Sequence, residues 1–286
     1  MKIPIKLTLV IVALAAIVIG FSSYQAAERG EAVHLWFFDI GQGDAALFDL
    51  PDQQQVLIDG GPNASIVARL GRAMPLSDKN IELIIVTHND ADHLSGILEV
   101  IKHYQVGKIW VNGASHTTQT YKKFMELVDE RNIPLETVVA GAVAEFGPLK
   151  GIAIFPLKSV AGQLPQSQND FSIVTLWQYS RYSILLTGDI EVDQERELLE
   201  RNLIPQTTIL KIAHHGSQTS SSVEFLKAAR PELAVISAGR NNRYGHPHAA
   251  VLERLAELSV PALRTDQDRS IRFQFWADSY RYQTGL

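Results

Sequence analysis

The 286 residues are 46% hydrophobic and 20% charged, an ordinary globular composition with enough chain to bury a full core, which excludes disorder, collagen and coiled coil. There is no cysteine, so disulfide frameworks, zinc ribbons and thiol nucleophiles are excluded and any metal must sit on histidines and carboxylates. The net charge is −5; residues 1–27 hold Lys2 and Lys6 and no acid, so the remainder carries 24 basic against 31 acidic side chains, a net of −7. That balance disfavours general, high-affinity binding to a polyanion.

Residues 7–21 form an apolar run broken only by Thr8, with Lys2 and Lys6 before it and polar residues 25–31 after it. Residues 1–27 therefore read as a signal peptide or an N-terminal membrane anchor. The run is short against the roughly 20 residues that span a bilayer, but residues 3–5 extend it. A cut after Ala26 or Ala27 would put Tyr24 or Gln25 where a small side chain is required, which favours an uncleaved anchor. Positive charge ahead of the run orients the N-terminus inside and the domain outside, in the periplasm or on the cell exterior. No linker or charge run divides the rest, so one domain over 33–280 is expected.

The domain opens with β-rich runs at 33–40, 45–50 and 56–58, joined by Gly41-Gln42-Gly43 and by a Pro51-Asp52 turn, as a meander would be. A helix follows at 65–70, with Asn63 or Ser65 as its cap. Strand and helix then alternate: a buried strand at 81–86, a helix at 96–104, a strand at 108–111, and a helix at 120–132 with Phe124, Leu127 and Val128 on one face. Further strands are predicted at 152–155, 172–178, 183–186, 208–213, 233–237 and 271–276, with helices at 192–201, 222–229 and 249–258 between the later ones. No short-period repeat is present.

The polar residues that follow these strands carry the functional signal. His88 follows the strand at 81–86, Asp189 the one at 183–186, His214 and His215 the one at 208–213, and His246 comes shortly after 233–237. Loops at strand ends of helix-flanked sheets converge, so four such placements describe one site. The densest segment, Thr87-His88-Asn89-Asp90-Ala91-Asp92-His93, holds four potential ligands in six residues. Folded back, its loop would turn His88 and Asp90 to one ion and Asp92 and His93 to another; two ions about 3.5–4 Å apart hold a hydroxide and clamp the attacking and leaving oxygens. Asp189, at a strand tip after Gly188, is the natural carboxylate between them, and it also suits a helix cap. The pair His214-His215 offers one more imidazole to the metals, with its neighbour left to contact substrate or orient a ligand. His246, in Tyr244-Gly245-His246-Pro247, is ligand, general acid or substrate donor, while His34, His103, His116 and His248 read as structural or surface residues.

Several blocks occur together in one order: Phe38-Asp39-Ile40-Gly41-Gln42-Gly43-Asp44, Val56-Leu57-Ile58-Asp59-Gly60-Gly61, residues 87–96, Asn169-Asp170-Phe171-Ser172, Leu186-Thr187-Gly188-Asp189, Lys211-Ile212-Ala213-His214-His215-Gly216-Ser217 and Tyr244-Gly245-His246-Pro247. From about Val33 to Trp276 this resembles the metallo-β-lactamase-like domain of the ComEC competence family. The resemblance implies an αββα sandwich with a dinuclear centre of two divalent metal ions on its edge. The wider superfamily pattern His-x-His-x-Asp-His has Asp90 in place of its second histidine here, and Asn169 stands where other members supply a third histidine. A donor set richer in oxygen makes manganese as suitable as zinc. Asp189 stands where some β-lactamases place a cysteine, which argues against that activity.

These readings converge on an exported metal-dependent hydrolase acting on phosphodiesters, nucleic acid among them. His88, Asp90, Asp92, His93, Asp189 and His214 are expected to bind metal, with Asp92, His215 and His246 as the catalytic set. The first ion is assigned mainly to His88 and Asp90, the second to Asp92, His93 and His214, with Asp189 between. Lys211, Arg240 and Arg243 are local cations near the site that offset the acidic net charge. The alternatives are the same centre acting on another ester, a lactone, a thioester or a β-lactam, and a metal-binding module without turnover. The membrane is a partner through the N-terminal segment if it is uncleaved, and no obligate protein partner is evident.

Overall fold

The structure is a computed structural model that describes Leu14, Gly20 and residues 30–286. Apart from Leu14 and Gly20, the segment 7–21 expected to be a signal or anchor lies outside the described residues. Among the described residues, no helix is long and apolar enough to cross a membrane.

Three short runs, buried at every position, open the domain as an antiparallel meander: β1 (Val33–Phe37), β2 (Ala46–Asp49) and β3 (Gln55–Ile58). β4 (Asn80–Ile85), β5 (Gln105–Val111) and β6 (Leu135–Thr137) extend the sheet in parallel from β3. Helices α1 (Ser65–Ala73), α2 (Ala91–His103) and α3 (Gln119–Glu130) make the crossovers. A second sheet begins with the antiparallel strands β7 (Val143–Phe146), β8 (Leu149–Phe155), β9 (Val174–Tyr179) and β10 (Tyr182–Leu186). β11 (Ile209–Lys211), β12 (Leu233–Ile236) and β13 (Ala262–Arg264) then run parallel to β10, with α4 (Val192–Glu200), α5 (Val223–Ala229) and α6 (Ala249–Glu257) between them. After the short α7 (Thr265–Asp268), the hairpin β14 (Ile271–Phe275) and β15 (Tyr280–Gln283) returns to the first sheet beside β1. The strand orders are β15-β14-β1-β2-β3-β4-β5-β6 and β13-β12-β11-β10-β9-β8-β7.

Apolar side chains from both sheets fill the space between them, among them Phe37, Phe48, Trp110, Trp177 and Phe273, with the Phe48 and Trp177 ring centroids 4.9 Å apart. Each such burial contributes about 1.5–3 kcal/mol. Ile66, Leu94, Ile97 and Phe124 pack α1–α3 on the outer face of the first sheet, and Leu198, Phe225 and Val251 pack α4–α6 on the outer face of the second. The layers are helices, sheet, sheet, helices.

Two departures from the predicted elements affect the site. The helix predicted at 96–104 begins at Ala91, with Asp90 in extended conformation at its N-cap, so Asp92 and His93 sit on a helical first turn instead of a loop. Strands β6, β7, β13 and β15 were not predicted; they are three or four residues long and half or less of each is buried, too little for alternation to register. The first turn of α2 docks on the Asp59-Gly60-Gly61 segment through Gly60 N to His93 O (2.8 Å) and Gly96 N to Gly61 O (2.9 Å). A methyl group on Gly96 would meet Gly60 O at 1.8 Å, so both backbones depend on the glycines to come this close.

Candidate metal centre

The parallel strands of both sheets end at one edge. Asp59 follows β3, His88 follows β4, Asp189 follows β10, and His214 and His215 follow β11; Asp44 arrives from the loop before β2, which runs against β3. His93 is at the middle of the cluster these residues form. Its Nδ1 is 2.8 Å from Asp59 Oδ2 and its Nε2 3.2 Å from Asp189 Oδ2. Asp59 is fixed in turn by the Thr87 amide (2.8 Å) and hydroxyl (2.7 Å), so carboxylate, imidazole and carboxylate form a rigid relay. His215 Nδ1 donates to Ser237 O (3.0 Å), which turns Nε2 to within 3.1 Å of Asp189 Oδ2 and 3.4 Å of Asp92 Oδ2. His88 Nδ1 faces the hydroxyls of Thr87 (3.0 Å) and Ser172 (3.2 Å). The Nε2 atoms of His88 and His215 are buried without a hydrogen-bond partner, and Asp90 Oδ2 lies 3.5 Å from that of His88.

The two neighbouring histidines diverge because both backbones are left-handed, with φ 48° at His214 and 55° at His215. Such non-glycine conformations are strained and concentrate at functional sites. His215 is turned inward to the carboxylates. His214 is turned outward, 22% exposed, with Nδ1 2.9 Å from Glu191 Oε1 and Nε2 3.5 Å from Asn169 Nδ2. His246 lies beyond them, its ring centroid 5.6 Å from that of His214 and 6.2 Å from that of His215.

Among the described residues, ligand atoms lie within 4.8 Å of one another in four groups: His88, His93 and Asp189; Asp92, His93 and His215; Asp44, Asp189 and His215; and Asp44, Asp59 and His93. Of the expected metal residues, the structure brings His88, Asp92, His93 and Asp189 into these groups, keeps Asp90 beside His88, and leaves His214 outside them. His215, expected to contact substrate, is inside. Asp44 and Asp59 stand in the sequence within motifs that assign them no role; the available signal is a carboxylate beside glycines next to a strand. Lys211 reads there as a local cation near the site that offsets the acidic net charge. Lys211 is instead 4% exposed and lies under the cluster: it is ion-paired with Asp44, donates to Gly188 O at 2.9 Å and lies 3.4 Å from Asp189 Oδ1.

The charges show what the pocket lacks. Among the described residues, the cluster sets five carboxylates, Asp44, Asp59, Asp90, Asp92 and Asp189, against one buried ammonium, that of Lys211, a deficit of four positive charges if the imidazoles are neutral. Burial opposes charge on Asp189, but His215, His93 and Lys211 hold its carboxyl well below the usual range. Burial likewise opposes, and His215 and His93 outweigh it, at Asp92, which is strongly lowered. Asp44 is held at about 2 by Lys211 and His215 against its burial. His93 and His215 are pushed well above the usual histidine range despite burial, His93 by Asp189 and Asp59, His215 by Asp189 and Asp44. Protons on the raised His93 and His215 would offset two of these charges, and two divalent ions would supply all four. The orphaned imidazole nitrogens and this deficit fit divalent metal.

Fold and site together define a metallo-β-lactamase-fold protein: the model of the metallo-beta-lactamase superfamily matches residues 39–240, and the chain belongs to that superfamily. Among curated proteins it is similar to ComE operon protein 3 of Bacillus subtilis, 32% identical over 83% of this chain and 32% of the relative. It is also similar to Recombination protein 2 of Haemophilus influenzae, 28% identical over 86% and 29%. The chain spans about a third of the length of these relatives. Among solved structures, the fold is that of Igni18, a metallo hydrolase from the archaeon Ignicoccus hospitalis, with a TM-score of 0.53 and 14% identity over 85% of this chain and 100% of that one.

Proposed function

We propose that the chain is an exported, metal-dependent phosphodiester hydrolase with nucleic acid among its substrates. The observation that carries this reading is the convergence of His93 and His215 Nε2 on one oxygen of Asp189, with Asp92 and the orphaned His88 Nε2 beside it. Asp92, His93, His215 and Asp189 make a ligand set for one divalent ion, zinc or manganese; His88, Asp90 and Asp189 make the start of a second. Divalent ions held there supply an activated water and neutralise charge on a phosphoryl group. The residues around them do the rest. Asp59 fixes the ring of His93, Ser237 O fixes the ring of His215, and Lys211 anchors the far oxygen of Asp189 so that the near one stays directed inward. His246 is held down to about 4 by burial and by the neighbouring His215, His214 and His248. It is therefore neutral at pH 7 and can donate a hydrogen bond from one ring nitrogen to a phosphoryl or leaving oxygen.

The choice of phosphorus over carbonyl rests on the competence relatives and on the absence of cysteine. Residues 7–21 would anchor the enzyme on the outer face of the cytoplasmic membrane. The test is metal-reconstituted full chain against bis-p-nitrophenyl phosphate, single- and double-stranded DNA, nitrocefin and a thioester. Phosphodiester cleavage with manganese or zinc and little turnover of nitrocefin is expected. Asp92→Ala should lose both activity and metal, and His246→Ala activity but little metal. Robust nitrocefin hydrolysis without phosphodiesterase activity under either metal would overturn the reading.

A further inference from the structure

The loop between β12 and α6 presents its side chains in an ordered way that the metal centre does not require. Asn242 acts as its internal brace: Oδ1 accepts from the amides of Tyr244 (3.1 Å) and His246 (3.0 Å), and Nδ2 donates to Gly239 O (2.9 Å) and to His246 O. Gly239 N in turn donates to Gln42 Oε1 (3.1 Å), tying the loop to the Gly41-Gln42-Gly43 turn of the other sheet. On this fixed backbone the Tyr244 ring stacks on the His246 ring, with centroids 5.7 Å apart and an interplanar angle of 22°. The guanidinium of Arg243 lies 4.8 Å from the Tyr244 ring and donates to its hydroxyl at 2.6 Å. Tyr244 is 48% exposed and Arg243 is exposed, so a large aromatic and a cation stand in water at the lip of the pocket. Asp92 is near enough to contribute, after the Tyr244 hydroxyl, to raising the Arg243 guanidinium. A buried core does not need this tyrosine, and a solvated loop does not need four hydrogen bonds from one asparagine.

We infer that Tyr244, with Arg243, is a specificity-determining platform on which an unpaired nucleobase stacks next to the scissile phosphate, so that single-stranded polynucleotide is the favoured substrate. The inference rests on the proposed phosphodiesterase reading. Planar bases stack on exposed aromatic rings whatever their sequence, and only unpaired bases expose the face that does so. Arg243 rests on the ring through an exposed cation–π contact, which is weak, and the donors it does not give to the Tyr244 hydroxyl suit a neighbouring phosphate once a base arrives. A few contacts of this kind are compatible with a chain of net charge −5.

The test uses the full chain loaded with manganese and compares methyl p-nitrophenyl phosphate, single-stranded oligothymidylate, oligouridylate and a blunt DNA duplex. Tyr244→Ala should raise KM for the single strands about tenfold more than it changes kcat/KM for the small diester, and Tyr244→Trp should restore it. Metal content of both variants should match the unaltered protein, which separates the platform from the centre. An effect on oligothymidylate alone or oligouridylate alone supports the platform and identifies which of the two strands it accepts. Equal losses on the small diester and the single strands, no loss on the single strands, or a duplex preferred over single strands would overturn it. Cleavage of the small diester by the unaltered protein upholds the phosphodiesterase reading whichever way Tyr244 behaves. If neither diester is cleaved, that reading falls, and the platform is decided by fluorescence of a single-stranded oligonucleotide carrying 2-aminopurine. Quenching that is lost in Tyr244→Ala supports it, and absence of quenching with the unaltered protein overturns it.

Discussion

Replacing Lys211 by methionine removes the ammonium from between Asp44 and Asp189 while nearly preserving the volume of the side chain. Three partners lose it: the Asp44 carboxylate, Asp189 Oδ1 and the carbonyl of Gly188. Breaking a buried ion pair by deleting one member costs about 3–5 kcal/mol, because the other charge is left uncompensated. Protonation sets a ceiling. Keeping an ordinary carboxyl with a pKa of about 3.9 protonated costs about 1.4 kcal/mol per pH unit, hence about 4 kcal/mol at pH 7 and about 1.5 kcal/mol at pH 5. The variant should therefore lose about 3–4 kcal/mol at pH 7 and about half of that near pH 5. Urea denaturation of the metal-free chain, followed through the buried Trp110 and Trp177, measures it. Adding Asp44→Asn to the variant should recover at least half the loss at pH 7, since the stranded charge is then gone. A penalty below about 1 kcal/mol, a penalty that does not change with pH, or no recovery in the double variant would refute the argument that Lys211 is the structural counter-ion of this pocket.

Two further outcomes follow from the same geometry. His93 and His215 are raised, so their contribution is complete below about pH 6.5 and is lost as pH rises through their folded values; Asp44, Asp92 and Asp189 are lowered, so theirs is present above about pH 4 and lost as pH falls. The Tm in chelator should be highest between about pH 4 and 6.5, and supplied manganese or zinc should extend that range upward by taking the place of the imidazole protons; a metal-free Tm that climbs from pH 6 to 8 would contradict this. His215→Ala should lower bound metal by about half or more while His214→Ala keeps most of it, measured by elemental analysis; equal loss in both would return His214 to the ligand set.

The layered fold was readable because its central strands are strongly apolar and its crossover helices carry clear 3.6-residue spacing, as at Phe124, Leu127 and Val128. The ligand types at strand ends were readable for the same reason, since a His or Asp directly after a buried strand has few uses. What could not be read was which way each side chain turns. His214 and His215 differ in role through two left-handed backbone conformations that no local composition specifies. Lys211 reads in sequence only as a cation near the site, because burial of its ammonium depends on Asp44, 167 positions away in the chain, and on Asp189. The helix start at Ala91 was placed five residues late because the metal-type residues in its first turn mask the apolar pattern that resumes at Leu94 and Ile97.

The cluster is also a seam. Asp44, Asp59, His88, Asp92 and His93 belong to the stretch of chain that builds the first sheet, and Asp189, Lys211 and His215 to the stretch that builds the second. Neither half contains a balanced set: the first brings carboxylates without their ammonium, and the second brings the ammonium without Asp44. The pocket comes into existence only when the two halves close on each other, with the β14–β15 hairpin crossing back to clasp them. A cation that spans the seam works as a rivet, and its capture reports that the sandwich has finished assembling.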